Sequence, residues 1–167
     1  MPARPPRTGR PPRYVLFLDG GETTGWALYD RVENVITMCE IDEIMTLGMK
    51  LDAWMSSAGL RTALGAERYV ITPMSARKDP SGIAIQVYGI ARWAALKYGA
   101  HVFVMGQTSS DALSLCTDDW LRAIGWYKIG MPHANDAARH VIKYLVDRNA
   151  LPAVLMEKLG TLLTQEG

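Results

Sequence analysis

Hydrophobic residues near the start of the chain fall into three short runs separated by turn-forming residues. Residues 13–19 form a β-branched and aromatic run that ends in an acid, and residues 25–29 and 34–39 have the same character. Because only a few residues separate one run from the next, the pattern predicts three strands in an antiparallel meander.

The remainder of the chain alternates between helical and strand-like spacing. Residues 42–60 place Ile44, Leu47, Leu51 and Trp54 on one helical face. Strands are predicted over 69–72 and 101–105, with a helix over 83–98 between them. Further helices are predicted over 117–125, where Thr117 is a suitable N-cap, over 134–147 and over 153–164. The order predicts an α/β fold with a mixed five-stranded sheet flanked by helices.

Length and composition fit one folded domain. The chain has 167 residues, of which 49% are hydrophobic, and its longest apolar runs are far shorter than the roughly 20 residues of a membrane span. The N-terminus lacks the apolar segment of a secretory signal. The two cysteines, Cys39 and Cys116, have no CxxC spacing, which favours buried thiols in a reducing, cytoplasmic compartment.

Charge divides the chain into two parts. Residues 1–13 hold four arginines, five prolines and no acid, which predicts a disordered cationic arm. Residues 14–167 form the predicted domain, with 14 basic and 17 acidic residues. A cationic arm on a mildly acidic domain suits a protein that binds a polyanion and also has a carboxylate site, although a tail without a specific role has the same composition.

The first candidate for chemistry is Asp19, at the end of the first predicted strand. Two glycines and two threonines follow it before the chain returns in the second strand. Such a sequence places a carboxylate at the end of a strand, where the glycines allow a phosphate or metal ion close to the backbone. A simple hairpin turn explains the same residues.

The second candidate is the segment from His133 to His140. At the angular spacing of a helix, His133, Asp136 and His140 fall within roughly a 60° arc beside an alanine-rich apolar face. Arg139 and Lys143 flank that arc. A solvated amphipathic helix is the alternative interpretation.

The third candidate is Glu67, which directly precedes the predicted strand over 69–72. Alternation along a strand that begins early would place Glu67 on the face of Tyr69 and Ile71. An acid there is costly unless it is paired or binds a cation, whereas an exposed acid at a strand start is unremarkable.

Together these segments resemble the RuvC-type Holliday junction resolvases of the RNase H-like superfamily, especially the short phage-encoded forms. The resemblance spans residues 14–147. It is carried by Asp-x-Gly-x-x-Thr-Gly-Trp-Ala at residues 19–27, the acid and strand at 67–73, Gly-Trp-Tyr-Lys at 125–128, and His-Ala-Asn-Asp-Ala-Ala-Arg-His at 133–140. One departure is Gly20, where the family usually has proline.

The resemblance implies an RNase H-like fold and an Mg²⁺-dependent endodeoxyribonuclease that resolves four-way DNA junctions by two-metal hydrolysis. The implied metal ligands are Asp19, Glu67, Asp136 and His133, with Asp19 bridging the ions. Mn²⁺ is expected to substitute for Mg²⁺, since carboxylate oxygens suit both ions. His133 either binds a metal ion or orients the attacking water, and His140 is a supporting residue behind the ligands.

DNA contacts are expected from five cations near the implied site: Arg68, Arg77, Lys78, Arg139 and Lys143. Symmetric cutting of two strands implies a C2 homodimer, with the helix over 83–98 contributing to core and interface. A phage protein of this kind would act in the host cytoplasm.

Other functions remain open. The chain is alternatively a flap or branched-DNA nuclease of the same fold, or a catalytically inactive junction-binding protein. An ATP-binding module of the actin type would use a similar Asp-Gly-Gly loop, but that fold generally requires two such domains.

Overall fold

A computed structural model describes residues 11–67, 73, 77, 81–102 and 109–165. The sheet contains β1 (Tyr14–Asp19), β2 (Thr24–Asp30), β3 (Val35–Ile41), β4 (Thr62–Ala66) and β5 (His101–Val102). The helices are α1 (Ile44–Ala58), α2 (Ile83–Tyr98), α3 (Ser109–Leu115), α4 (Asp118–Ile124), α5 (Pro132–Asp147) and α6 (Ala153–Gln165), with a 3₁₀ turn at Gly59–Arg61. The predicted α/β class with a mixed five-stranded sheet is confirmed.

Strand order in the sheet is β3-β2-β1-β4-β5. The first three strands pair antiparallel, as the meander predicted, while β4 lies parallel to both β1 and β5. The central strand β1 is therefore bordered by β2 on one side and β4 on the other. Its carboxyl end, at Asp19, lies in the middle of one edge of the sheet.

Alternation along β1 divides the core into two layers. Val15 and Phe17 face a cluster that includes residues of α4, α5 and α6, whereas Leu16 and Leu18 face a cluster formed with α1 and α2. Because Asp19 continues the odd-numbered series, it belongs to the layer of α5.

The fourth strand differs from the prediction. The structure forms β4 at Thr62–Ala66, a segment that is mostly alanine, glycine and leucine. The predicted strand over 69–72 lies outside the described residues, although Glu67 and Pro73 near its two ends are described. Every residue of β4 is buried. Packing between β1 and β5 therefore outweighs the low strand propensity of alanine and glycine. Helix α3 was also not predicted, and the fifth predicted strand continues beyond Val102 into residues that are not described.

The N-terminal boundary is also slightly earlier than predicted. Arg13, assigned to the arm, donates to Asp30 through Nε and Nη2, the latter at 2.7 Å, and its carbonyl accepts from the N–H of Arg31. Arg13 thus belongs to the domain, while residues 1–10 lie outside the described part and the arm stays a prediction.

Neither cysteine forms a disulfide bond. Cys116 is buried as predicted, and burial raises the pKa of its thiol to about 12. Cys39 is only half-buried, and the Nζ of Lys50 lies 2.8 Å from its Sγ. Within the described ranges, no helix combines the length and the apolar character that crossing a bilayer would require.

Candidate functional site at the carboxyl end of the central strand

The first turn of α5 meets the sheet at Asp19. The carboxylate of Asp19 is 7% exposed, and its Oδ2 lies 3.1 Å from Nδ1 of His133. Because an ionised carboxylate can only accept a hydrogen bond, this contact requires the form of His133 that carries a proton on Nδ1. In the neutral imidazole this leaves Nε2 as the nitrogen with a lone pair. The hydrogen bond to Asp19 raises the pKa of His133, and burial opposes it.

Gly25 on β2 allows this close approach. It pairs with Asp19 across the β1–β2 ladder, and a β-carbon at position 25 would overlap the carbonyl group of His133. Glycine is therefore required because the backbone of α5 occupies the space of a side chain. The same glycine is part of the sequence motif that begins at Asp19.

Asp136 lies one turn further along α5, beside the Asp19–His133 pair. Burial raises the pKa of Asp136, and the negative charge of Asp19 adds to that effect, whereas Arg139 and His133 lower it. The two carboxylates are thus close enough to repel each other. The sequence placed His133 and Asp136 on one helix face, and the structure brings both to Asp19.

Arg139 has a different role from the one predicted. It was predicted to contact DNA, but its side chain is 8% exposed and donates to both Asp136 and Asp118. Its Nε also donates to the carbonyl oxygen of Cys116 at 3.0 Å. Arg139 and its two carboxylate partners line a groove of about 380 Å³ beside the site, together with Leu113, Tyr127, Pro132 and Asn135.

Glu67 directly follows β4, at the same edge of the sheet as Asp19. Its backbone N–H donates to the carbonyl oxygen of Leu18 at 3.3 Å, which extends the β1–β4 pairing. The backbone of Glu67 therefore lies next to that of Asp19. The sequence placed Glu67 before a strand, whereas the structure places it after one, so its face follows Ala63 and Gly65 instead of Tyr69 and Ile71.

His140 lies away from this edge. It is fully buried and stacks on Phe17, with ring centroids 4.1 Å apart and planes 9° from parallel. The contact with Phe17 gives His140 a place in the core, and its predicted supporting role behind the metal ligands stays a prediction. The helix crosses β1 as it continues, so a residue two turns after His133 lies over the strand interior.

The remaining predicted DNA contacts are unevenly placed. Arg77 is exposed, whereas Arg68 and Lys78 lie outside the described residues. Lys143 is 20% exposed and pairs with Asp147 at 3.0 Å, one turn further along α5. Of the five cations predicted to contact DNA, three are described, and Arg77 is the one of these three that is exposed.

Glu40 on β3 also belongs to this site, and the sequence analysis did not find it. Its Oε1 accepts from the backbone N–H groups of His133 at 2.8 Å and Ala134 at 3.3 Å. The predicted third strand ended at residue 39, one residue too early. The available signal was the alternation of Ile36 and Met38, both packed on the α5 layer, which continues to Glu40.

The donor chemistry at this edge suits a divalent cation. Carboxylate oxygens from Asp19 and Asp136 are oxygen ligands of the type that Mg²⁺ and Mn²⁺ take, and His133 adds an imidazole nitrogen. A cation would also offset the two effects that raise the pKa of Asp136, which are its burial and the repulsion from Asp19. In the described part of the chain, however, His, Cys, Asp and Glu side chains form no group of three arranged around one ion.

Comparisons with known proteins bear on the fold. No protein-family model matches the chain, and no curated protein sequence matches it significantly. Among solved structures it is similar to T. thermophilus RuvC in complex with Holliday junction substrate, with a TM-score of 0.52 and 13% identity over 82% of this chain and 96% of that one. The chain has the RuvC fold. This similarity confirms the RNase H-like fold that the sequence motifs implied. At 13% identity, the similarity shows the fold alone.

Proposed function

We propose that this protein is a metal-dependent endonuclease that cuts branched DNA, with the four-way junction as its preferred substrate. The observation that carries the proposal is the contact of His133 with Asp19 at the carboxyl end of β1, with Asp136 one turn further along α5 and within electrostatic range of Asp19. Support comes from the RuvC fold, since the similar T. thermophilus structure was solved with a Holliday junction. The phage-type sequence motifs agree with both.

Asp19, Asp136 and Glu67 would hold the divalent ions, with His133 as a further ligand or as the residue that orients the attacking water. Bound Mg²⁺ would supply neutralisation of charge on the scissile phosphate and a water of lowered pKa. The Nδ1 of His133 donates to Asp19, which fixes the imidazole orientation and directs Nε2 away from that carboxylate. Arg139 donates to the carboxylates of both Asp136 and Asp118, and so ties Asp136 to the first turn of α4.

The burial of Asp19 favours it as the central ligand. A nearly buried carboxylate needs a compensating partner, and among the described residues the hydrogen bond from His133 provides part of that compensation. Asp136 and His133 are more open, at 36% and 41% exposed. A phosphate group could therefore approach from the side of α5 while Asp19 stays shielded from water.

Cleavage assays with Asp19→Asn test the proposal. Four-way junction, flap and linear duplex DNA are incubated with the protein in Mg²⁺ or in EDTA. We expect paired nicks across the junction that require Mg²⁺, and a loss of about 100-fold or more in Asp19→Asn. Asp119→Asn is the matched control, because Asp119 is an exposed acid on α4 that pairs with Arg122.

If the protein cuts flaps in preference to four-way junctions, the proposed junction specificity is wrong and the proposed nuclease activity stands. Cleavage that persists undiminished in Asp19→Asn, in a folded protein, would contradict the proposed site.

A catalytically inactive junction-binding protein is the second candidate. It is favoured by one observation: Asp136 is bonded to Arg139 instead of standing free beside Asp19, so the described ligands do not converge as a group of three. Tight binding of the four-way junction without cleavage in Mg²⁺ or Mn²⁺ would establish this function instead.

A further inference from the structure

Three neighbouring strands present a continuous row of residues beneath the first turn of α5. Asp19 pairs with Gly25 across β1 and β2, and Gly25 pairs with Glu40 across β2 and β3. Residues directly opposite each other in a sheet project to the same face. Asp19 and Glu40 therefore rise on the α5 side, one on each flank of Gly25.

His133 is held by all three members of this row. Asp19 bonds the imidazole Nδ1, Glu40 accepts the backbone N–H, and the carbonyl group lies over Gly25. The ring, the amide and the carbonyl of a single residue are thus each fixed by a different strand. Rotation or sliding of α5 would break at least one of these contacts.

Helix α5 lacks a cap of its own. Met131 occupies the N-cap position without a side-chain hydrogen bond, and proline follows it at the first helical position. The free N–H groups of the first turn are satisfied by Glu40 from another strand, 93 residues earlier in the chain. An acid at a helix N-terminus is also favoured by the helix dipole. The cap therefore ties the helix to β3, which a local cap would not do.

We propose that Glu40 is a positioning residue of the nuclease site: by accepting the N–H groups of His133 and Ala134 it fixes the first turn of α5 so that the imidazole of His133 meets Asp19. Its acceptor oxygen performs this role, and its negative charge is not required. The kinetic part of the inference rests on the proposed function, while the placement of His133 does not.

Four variants separate positioning from simple helix capping. Glu40→Ala removes the acceptor, and Glu40→Gln keeps an acceptor oxygen without the charge. Glu40→Ala combined with Met131→Asp gives the same N–H groups a local cap that is not attached to β3. Glu33→Gln, at the opposite end of the same hairpin and 64% exposed, is the matched control.

The first readout is independent of DNA and metal. In metal-free protein labelled with ¹⁵N-histidine, the Nδ1 signal of His133 is assigned by its loss in His133→Gln. We expect Glu40→Ala to move or broaden this signal and to lower Tm by about 2–4 °C. The charge of Glu40 contributes to the raised pKa of His133, so the spectra are recorded at alkaline pH, where the imidazole is neutral in every variant. Glu40→Gln and Glu33→Gln should then retain the wild-type signal. The double variant should recover Tm but not the signal.

The second readout is junction cleavage. Glu40→Ala should lower kcat by about 10-fold to 100-fold, because a small misplacement of a reacting group is sufficient for such a loss, while KM changes little. Glu40→Gln should restore kcat, and the double variant should not. If no variant or wild-type protein cuts DNA, the proposed function fails, and the histidine signal still decides the positioning role.

Three results would overturn the inference. One is an unchanged His133 signal in Glu40→Ala. Another is full recovery of signal and kcat in the double variant, which would reduce Glu40 to a helix cap. The third is an altered His133 signal in Glu40→Gln, which would show that the charge of Glu40, and not its acceptor oxygen, places the imidazole.

Discussion

At the scale of single residues, Arg139 illustrates how a cation near a candidate DNA site becomes structural. Its guanidinium is almost sealed from solvent and bonds two carboxylates and a carbonyl group. Removing it would leave Asp136 beside Asp19 without its main compensating charge. Arg77, in contrast, is exposed and remains a candidate for a phosphate contact.

We expect Arg139→Ala to lower the free energy of unfolding by about 2 kcal/mol, because its buried hydrogen bonds and ion pairs are lost together. Lys143→Ala, which breaks a more exposed pair on the same helix, should cost less than about 1 kcal/mol. Urea unfolding measures both. Equal effects of the two substitutions would contradict the structural role of Arg139.

Salt dependence of DNA binding provides the complementary test of this assignment. Arg77→Ala should reduce the slope of log affinity against log salt by about one, as expected for a lost phosphate contact. Arg139→Ala, in protein that remains folded, should leave the slope unchanged. A reduced slope in Arg139→Ala would restore it as a DNA contact.

At the scale of elements, the first turn of α5 against β2 is the most constrained contact of the site. No side chain fits between Gly25 and the carbonyl group of His133, so strand and helix touch backbone to backbone. The helix position is therefore set by the absence of a side chain as much as by the contacts of its alanine-rich face.

Gly25→Ala should destabilise the protein by about 2–3 kcal/mol, since the added methyl group displaces α5. It should also weaken the Asp19–His133 contact. Gly89→Ala on α2 is the control: nothing lies within 4 Å of its β-carbon position, and alanine there should stabilise the helix by about 1 kcal/mol. Thermal unfolding of both variants checks the prediction, which fails if Gly25→Ala is neutral.

Elements with strong periodicity were predictable from the sequence, and those shaped by tertiary packing were not. Strands β1 to β3 and helices α1, α2 and α5 follow alternating or helical spacing and were predicted within a few residues. Strand β4 lacks β-branched residues apart from Thr62, and it is a strand only because β1 and β5 enclose it. Of the predicted site residues, His133 contacts Asp19, while Asp136 is bonded to Arg139 one turn further along the helix. Glu40 was missed because its role depends on a contact across 93 residues.

At the scale of the whole molecule, one apolar groove is left open on the face opposite the α5 layer. Met45, Met49 and Trp93 are 67%, 72% and 49% exposed, and a groove of about 390 Å³ runs between α1 and α2. Soluble monomers rarely expose contiguous apolar patches of this kind. We propose that a second copy of the chain covers it, since paired cuts require two sites related by a twofold axis.

Met49→Glu and Trp93→Glu should each convert a dimer into a monomer, because a charge is then buried in the interface. Light scattering coupled to size-exclusion chromatography measures the mass. Ile129→Glu is the control, since Ile129 is 90% exposed in the turn between α4 and α5, outside this groove. A monomeric wild type would contradict the proposed dimer, and variants that stay dimeric would place its interface elsewhere.

The row formed by Asp19, Gly25 and Glu40 also has a consequence for how the molecule folds. The meander of β1 to β3 joins neighbours in the chain and closes short loops, whereas Asp19 and His133 are 114 residues apart. Pairings of such long separation carry the largest loop-closure entropy and form late. We therefore expect Asp19 and Glu40, which lie on the meander, to be placed early in folding. His133 would join them only when α5 packs on the sheet, so partly folded chains would hold the two acids without the histidine.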